Sequence, residues 1–415
     1  MTRSTSSALL AFVLATTASA QEAAPPELAT PQPQRPGLLR VGPFYLTPFF
    51  QIGTIGLDTN VFYTATDRQT DVMASGGPGL ELVLPLGGLG RFVTRGALDY
   101  LYFVRTQSQR RLNGNGVSRL ELKGSRTEVS AEEDYLQTFS RPNYEVNARV
   151  QQTQEGTRAD LKRRLFGRIS LMLGGSRAHN QTDPGQIYLG TDLARTLTLD
   201  SYRAAAGLGY AITVKTSFVV EGDQQWDRFP LDASRGADSN RLAAGFRTDT
   251  TALIFGHALF GARWFRPKDS SIDKRVPYVD VDALWSLSPR TKFGGSYNRD
   301  LNYSAFITSG ATPTVSIEAV GFRIEKQLVG NLDLRLFARQ TLFTTDGTIT
   351  LDVPGQGKLV SVRDDRAREA GADLGYRFRP RVRAGVTASY IDRRSTISYF
   401  GIKGLLVGFT AQYQP

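Results

Sequence analysis

Apolar and polar residues alternate along most of the chain from Gly42 onward, in stretches of about ten to fourteen residues that end in turns. In 91–105, Phe92, Leu98 and Tyr100 occupy even positions, whereas Arg91 and Asp99 occupy odd positions. Because successive side chains of a β-strand point to opposite faces, each stretch is predicted to form a strand with one apolar and one polar face.

The alternation predicts about 18 strands, and the connections between them come in two kinds that take turns along the chain. Short Gly- or Pro-containing turns alternate with longer polar loops such as 58–70, 139–153 and 346–363. This asymmetry is typical of an outer-membrane barrel. The predicted strands are 44–57, 72–86, 91–106, 113–124, 126–138, 154–166, 168–180, 197–212, 215–228, 237–249, 252–265, 273–287, 290–303, 314–327, 331–345, 364–378, 381–394 and 400–413.

A soluble β-sandwich would also alternate, with its apolar face inward. Three features favour a barrel instead. The stretches are longer than the roughly five or six residues of an average strand. Their apolar faces carry Tyr, Phe and Trp near the ends, as membrane interfaces require, and their polar faces carry Arg with Asp or Glu, which suits a wet interior. The predicted fold is therefore an all-β, antiparallel, up-and-down transmembrane barrel.

Two segments precede the predicted barrel. Residues 1–20 have a basic start at Arg3, a short apolar run from Ala8 to Ala15 and small residues before Ala20. This pattern predicts a signal peptide cleaved after Ala20, because the run is much shorter than the roughly 20 residues of a membrane anchor. Residues 21–42 are rich in Pro and are predicted to form an extended periplasmic lead-in. The barrel is assigned to 43–415.

The 415-residue chain contains no Cys, two His and a formal net charge of +11. Positive charge attracts anions, but an exported chain seldom meets nucleic acid, so no nucleic-acid partner is predicted. The expected partners are outer-membrane lipid, lipopolysaccharide and the barrel-assembly machinery.

The sequence offers little chemistry for catalysis. His179 is predicted at a strand end beside a loop, and His257 on a polar strand face, and neither has a Ser in a supporting context. Asp280 and Asp282 share one strand face and could bind a hard cation, although salt bridges within the wall explain them as well. We predict no catalytic residue, no metal and no cofactor.

The most informative set consists of charged residues predicted to project into the barrel. One interpretation is mutual ion pairing that stiffens the wall, and another is an anion-attracting interior, and the two are compatible. The predicted pore-lining residues are Arg91, Arg95, Asp99, Arg105, Arg203, Glu221, Asp223, Arg241, Arg247, His257, Arg263, Asp280, Asp282, Arg335, Arg339, Asp373, Arg381, Arg383 and Arg393.

The first predicted strand pair resembles the start of the β-barrel porin 2 family. The residues that carry the resemblance are Pro48, Gly53, Gly56, Asp58, Asn60, Val61, Phe62, Asp71 and the run Pro78-Gly79-Leu80. The resemblance implies an outer-membrane barrel, linked in many members to exopolysaccharide or capsule export, with periplasmic polysaccharide-export components as partners. The C-terminus departs from the common barrel pattern, because two residues, Gln414 and Pro415, follow the last aromatic residue, Tyr413.

The predicted function is a passive outer-membrane conduit for hydrophilic solute, with an Arg-rich interior that favours anions and an external loop that can narrow the bore. Two alternatives stay open. One is a barrel enzyme that acts on lipid or lipopolysaccharide, and the other is a structural or adhesive barrel that does not conduct.

Overall fold

A computed structural model describes residues 39–249, 252–268, 273–306, 314–355, 357–379 and 382–413. The predicted signal peptide and most of the Pro-rich lead-in lie outside the described residues. The first described residues, Leu39–Val41, form a short strand that pairs with the start of the first long strand.

Eighteen long strands form one closed antiparallel sheet, as the alternation predicted. Each strand pairs with its neighbours in the chain, and the last strand pairs with the first, so that Tyr413 lies opposite Phe50. The strands are β1 (Phe44–Asp58), β2 (Asp71–Pro85), β3 (Gly90–Phe103), β4 (Arg111–Lys123), β5 (Thr127–Ser140), β6 (Val150–Phe166), β7 (Ile169–Thr182), β8 (Leu199–Ala211), β9 (Thr216–Arg228), β10 (Ala237–Thr248), β11 (Ile254–Pro267), β12 (Lys274–Ser288), β13 (Thr291–Tyr303), β14 (Thr314–Gln327), β15 (Leu332–Thr345), β16 (Asp364–Arg379), β17 (Val382–Ser395) and β18 (Ile402–Tyr413).

The closed ladder pairs every wall strand on both sides, with local irregularities such as that between Ile52 and Ile55 of β1, and leaves no wall strand at an exposed edge. The short connections lie at one end of the barrel, and several of them turn on a Gly with positive φ, such as Gly167 (φ 52°) and Gly330 (φ 54°). The long connections lie at the other end. We call these the short-turn end and the long-loop end.

The two faces of the wall differ as the alternation requires. In β10, Arg241 and Ala243 are buried on the inner face, whereas Leu242 and Phe246 are about half exposed on the outer face. Large exposed apolar side chains such as Phe260 on β11 surround the barrel on the outside. The inner face carries most of the charged residues.

Helical structure is minor in the described residues. The α-helix Leu193–Leu197 has five residues, and its first turn is capped by Asp192, whose carboxylate accepts a hydrogen bond from the backbone N–H of Ala194. No helix in the described part of the chain has the length and apolar character needed to cross a membrane.

Candidate functional site

The inner wall of β8, β9 and β10 carries a continuous network of buried charges. Glu221 accepts hydrogen bonds from Arg241 (Nη2 to Oε1, 3.2 Å) and from Arg247. Asp223 accepts from Arg203 (Nη2 to Oδ2, 2.8 Å) and from Arg241 (Nε to Oδ2, 2.6 Å). Because each carboxylate binds two guanidinium groups, these three strands are linked on the inner face by ion pairs as well as by the ladder.

The network continues onto β11, β12 and β13. The guanidinium of Arg241 lies over the Tyr278 ring, 4.5 Å from its centroid. Arg263 pairs with Asp300 (Nη2 to Oδ2, 2.9 Å), and His257 Nε2 lies 3.1 Å from the carboxylate of Asp280. The structure thus places Asp280 beside a histidine.

A second group of inner-wall ion pairs lies nearer the short-turn end. Arg383 on β17 binds Asp333 on β15 (Nη2 to Oδ1, 2.6 Å) and also Asp373 on β16.

On other parts of the wall, Asp282 binds both Nη atoms of Arg323 (3.0 and 3.1 Å), so Asp280 and Asp282 have separate partners. Arg91 donates from Nε to Glu121 at 2.7 Å. Since Asp280 and Asp282 have different neighbours, the structure does not pair them as a cation site.

Of five other predicted pore-lining residues, three lie on the inner wall, one lies in a loop and one lies outside the described residues. The guanidinium of Arg95 lies 4.3 Å from the centroid of the Phe49 ring, and Asp99 lies opposite Asn113 in the ladder. On β15, Arg339 lies opposite Glu369. Arg105 lies in the loop after β3 rather than on the wall; its side chain is exposed, and its backbone N–H donates to Asp71. Arg381 lies outside the described residues.

Several charged inner-wall residues were missing from the sequence prediction, and all of them complete ion pairs. They are Glu121, Arg119 with Glu132, Asp300, Arg323 and Asp333. The same period-two alternation marks their positions, so following it through every strand would have found them.

The inner face of β15 changes from open to filled along its length. Arg335 is exposed and Phe337 is 44% exposed, although both are on the inner face. Toward the long-loop end, Thr341 is 3% exposed and Phe343 is 2% exposed. Along β15, the barrel interior is therefore open near the short-turn end and filled near the long-loop end.

The filling comes in part from the loop 141–149, which connects β5 to β6. Tyr144 packs with Val315 on β14 and with Phe343 on β15, and its hydroxyl lies 3.4 Å from the hydroxyl of Thr341. In a closed barrel of eighteen strands, β15 lies half-way around the wall from β6. The loop therefore crosses the interior to reach the opposite wall.

Buried charged groups hold the loop 141–149 in place. The Glu145 carboxylate accepts hydrogen bonds from Ser304 (Oγ to Oε1, 2.6 Å) and from the backbone N–H of Ala305. Burial raises the pKa of Glu145, although the hydrogen bond from Ser304 and the positive charge of Arg363 oppose that shift. Arg363 donates to the carbonyl oxygens of Glu145 (3.0 Å) and Tyr144 (3.2 Å). Arg393 on β17 donates to the same Tyr144 carbonyl at 2.6 Å.

Other loops add an apolar core around this polar centre. Five connections at the long-loop end contribute to it, including the small sheet Ile349–Val353 with Gly357–Ser361. The buried members are Val146, Val150, Tyr188, Leu193, Ala305, Phe306, Ile349, Leu351, Val353, Ile397 and Phe400. We call this assembly of loops the cap. The external loops were predicted to be polar, and the buried apolar cluster within them is a correction to that prediction.

The two histidines contact carboxylates. His257 Nε2 lies beside Asp280 on the inner wall. His179 lies within β7, not in a loop, and its Nδ1 is 2.8 Å from Asp200 Oδ1. Within the described residues, no hydrogen bond joins either histidine to a serine, so the geometry there gives no support to a Ser–His pair.

No family model and no curated protein sequence matches the chain. Solved structures with a similar backbone include the siderophore receptor PirA from Pseudomonas aeruginosa, with 10% identity, 92% of this chain and 81% of that chain covered, and a TM-score of 0.44. The alcaligin outer membrane receptor FauA from Bordetella pertussis has 12% identity, with coverages of 92% and 66% and a TM-score of 0.42.

The outer membrane transporter YddB from Escherichia coli has 9% identity, with coverages of 90% and 66% and a TM-score of 0.46. The chain thus spans 66% of the length of the last two proteins. At such low identity and TM-score, these likenesses say nothing about what this chain transports or binds.

Proposed function

We propose that the chain is an outer-membrane conduit for hydrophilic solute, open toward the periplasm and closed on the outside by the cap. The observation that carries the proposal is the burial gradient on the inner face of β15, from exposed Arg335 and Phe337 to buried Thr341 and Phe343. A barrel of this strand count is wide enough for an aqueous channel, so side chains of the wall alone do not fill it.

The two faces of the wall support the membrane location. An outward apolar surface with a charged interior is what a barrel in lipid requires, whereas a soluble barrel would need the reverse. The long loops then face outward from the cell and the short turns face the periplasm. The cap therefore covers the external mouth.

The exposed charges near the short-turn end support a preference for anions. Arg335 is exposed, and the Arg377 side chain is 56% exposed although its Nε lies 3.4 Å from Asp333. Other inner-wall arginines, such as Arg203, Arg241 and Arg247, are neutralised by buried carboxylates. Basic groups that remain in contact with water lower the barrier for anions more than paired groups do.

Planar-bilayer recording of the purified full chain tests the proposal. We expect ion-conducting events with a reversal potential shifted toward the anion in a salt gradient, and rare openings because the cap closes one mouth. Absence of any conductance from the wild type and from a variant with an opened cap would exclude a conduit and favour a structural or adhesive barrel.

Passage of exopolysaccharide is the finer proposal. Phe337 is 44% exposed inside the barrel, with Arg335 and Arg339 on the same face of β15, and an aromatic ring between basic groups can hold an anionic sugar. We expect deletion of the gene to leave polymer in the periplasm, and Phe337→Ala to lower surface polymer, with the outward-facing Phe322→Ala as the control. Unchanged surface polymer in the deletion strain would reject this proposal while leaving a general conduit possible.

A further inference from the structure

The outer surface of the barrel carries a polar patch where an apolar band is expected. It is formed by Glu133 on β5, Glu155 and Thr157 on β6, and Arg177 and His179 on β7. The first four residues are exposed. We call it the outer polar patch. At a comparable mid-strand position on β11, the outer face carries Phe260, which is 55% exposed.

The ladder register places the patch away from both ends of the barrel. One row of paired residues starts at the short-turn end of β1 and reaches the long-loop end at β11, because the strands of a barrel are tilted. Glu133 is near the middle of this row and near the middle of β5. The row is Leu46, Leu82, Thr94, Ser118, Glu133, Thr157, Arg177, Tyr202, Trp226, Asp238 and Arg266.

The position of the patch conflicts with contact to lipid. If the barrel spans a membrane, as proposed above, Glu133 and Thr157 face the hydrocarbon region and Arg177 lies above them. Charges on the lipid face of a barrel destabilise it most at the bilayer midplane. Hydrogen bonds or ion pairs with another protein would offset part of that penalty.

The patch is complementary to itself. Along the row, Thr157 has acidic Glu133 on one side and basic Arg177 on the other. A two-fold axis parallel to the membrane normal and passing near Thr157 would exchange the two sides. Glu133 of one copy would then face the partner subunit's Arg177, and the long arginine side chain can bridge the difference in height between the two positions.

We propose that the outer polar patch is the contact surface of a homodimer in the membrane, with Thr157 at its two-fold axis. The proposal rests on the membrane location proposed above. The occupant is a second copy because the pattern of charge pairs with itself, and no second surface is needed to complete the contact.

Cysteine cross-linking tests the axis, because the chain has no native Cys. Thr157→Cys should form a disulfide-linked dimer in native membranes at least ten times faster than Ala338→Cys. Ala338 is the matched control, since it is exposed on the outer face of β15, half-way around the barrel. Equal rates of disulfide formation for the two variants would overturn the proposal. So would a trimer trapped by a chemical cross-linker if Thr157→Cys formed no disulfide.

Charge exchange tests the pairing. In detergent, native mass spectrometry should show a dimer for the wild type and a monomer for Glu133→Arg. Glu133→Arg combined with Arg177→Glu should restore the dimer. A wild-type monomer that carries bound lipopolysaccharide, or a double variant that stays monomeric, would reject the homodimer.

Failure of the dimer proposal can be distinguished from failure of the conduit proposal. Heat-modifiable migration and membrane extraction show first whether each variant is an inserted, folded barrel. If the wild type is inserted and conducts but stays monomeric, only the dimer proposal fails. If the wild type is not inserted at all, the conduit proposal fails as well.

Discussion

Arg363 is the residue whose loss should open the cap most directly. It is fully buried, and it binds the Asp365 carboxylate (Nη2 to Oδ2, 2.6 Å) together with the carbonyl oxygens of Tyr144 and Glu145. Its guanidinium also lies 3.5 Å from the centroid of the Phe400 ring. The Arg363 side chain thus joins three segments of the cap: the loop 141–149, the end of the loop before β16, and the loop between β17 and β18.

Replacing Arg363 with Met keeps most of the side-chain volume and removes the charge. Breaking a buried ion pair by removing one partner costs about 3–5 kcal/mol, and the longer contact from Arg393 Nε (3.7 Å to Asp365 Oδ2) compensates the remaining carboxylate only in part. The Glu145 carbonyl, which loses its Arg363 donor, adds to this cost unless water reaches it, whereas the Tyr144 carbonyl keeps its hydrogen bond from Arg393. Since a tenfold change in an equilibrium corresponds to about 1.4 kcal/mol, the ratio of open to closed cap should rise roughly 100- to 4,000-fold. The wall should remain folded, because its ladder does not depend on Arg363.

Two assays measure the effect. In planar bilayers, Arg363→Met should raise the open probability of the conduit, whereas Arg335→Met, which removes an exposed charge far from the cap, should leave it unchanged. In cells, a Cys at Val146, which is 1% exposed, should react with a membrane-impermeant maleimide only when the cap opens. If Arg363→Met neither raised the open probability nor exposed position 146, the cap would not be the gate.

Three further predictions concern the wall and the cap. Arg335→Gln should shift the reversal potential toward cations, and Arg394→Gln, whose exposed side chain is on the outer face, should not. Glu221→Gln should lower the free energy of unfolding by about 3 kcal/mol, because it weakens the binding of two buried arginines, whereas exposed Asp364→Asn should change it by less than about 0.5 kcal/mol in urea titration. Burial raises the pKa of Glu145 above the ordinary value of 4.5, so the closed cap holds the proton more tightly than the open cap. The closed cap is then most stable below pH 4.5, and its stability falls as the pH rises through the raised pKa of Glu145. The open probability should therefore rise over this pH range in the wild type but not in Glu145→Gln.

The barrel could be predicted from sequence because its signal is local. Each strand has its own alternation, and the turn chemistry at positions such as Gly167 marks where one strand ends and the next begins. The strand predicted at 154–166 begins earlier, at Val150, because the uncharged run 150–153, which was assigned to the preceding polar loop, pairs with the end of β5. Even there, the count of strands was unaffected.

The cap could not be predicted in this way. Tyr144 and Glu145 lie in a polar stretch after β5, and nothing near them in sequence indicates contact with Thr341 or with Ser304. These contacts join residues far apart in the chain, and they form only because the closed barrel brings opposite walls within reach of one loop. The same limit applies to Arg105, since the alternation continues past the end of β3 while the strand does not.

The buried charges of the wall and those of the cap have different consequences for function. On the wall, Glu221 and Asp223 neutralise neighbouring arginines, which removes most of their attraction for a passing anion and stiffens the barrel. In the cap, Arg363 instead satisfies backbone carbonyls of a loop that has no ladder of its own. A loop held by a few polar contacts can be released without unfolding the wall, because its stability is separate from that of the sheet. For the conduit proposed above, this arrangement would combine a rigid wall with a mouth whose opening is controlled by a few buried groups.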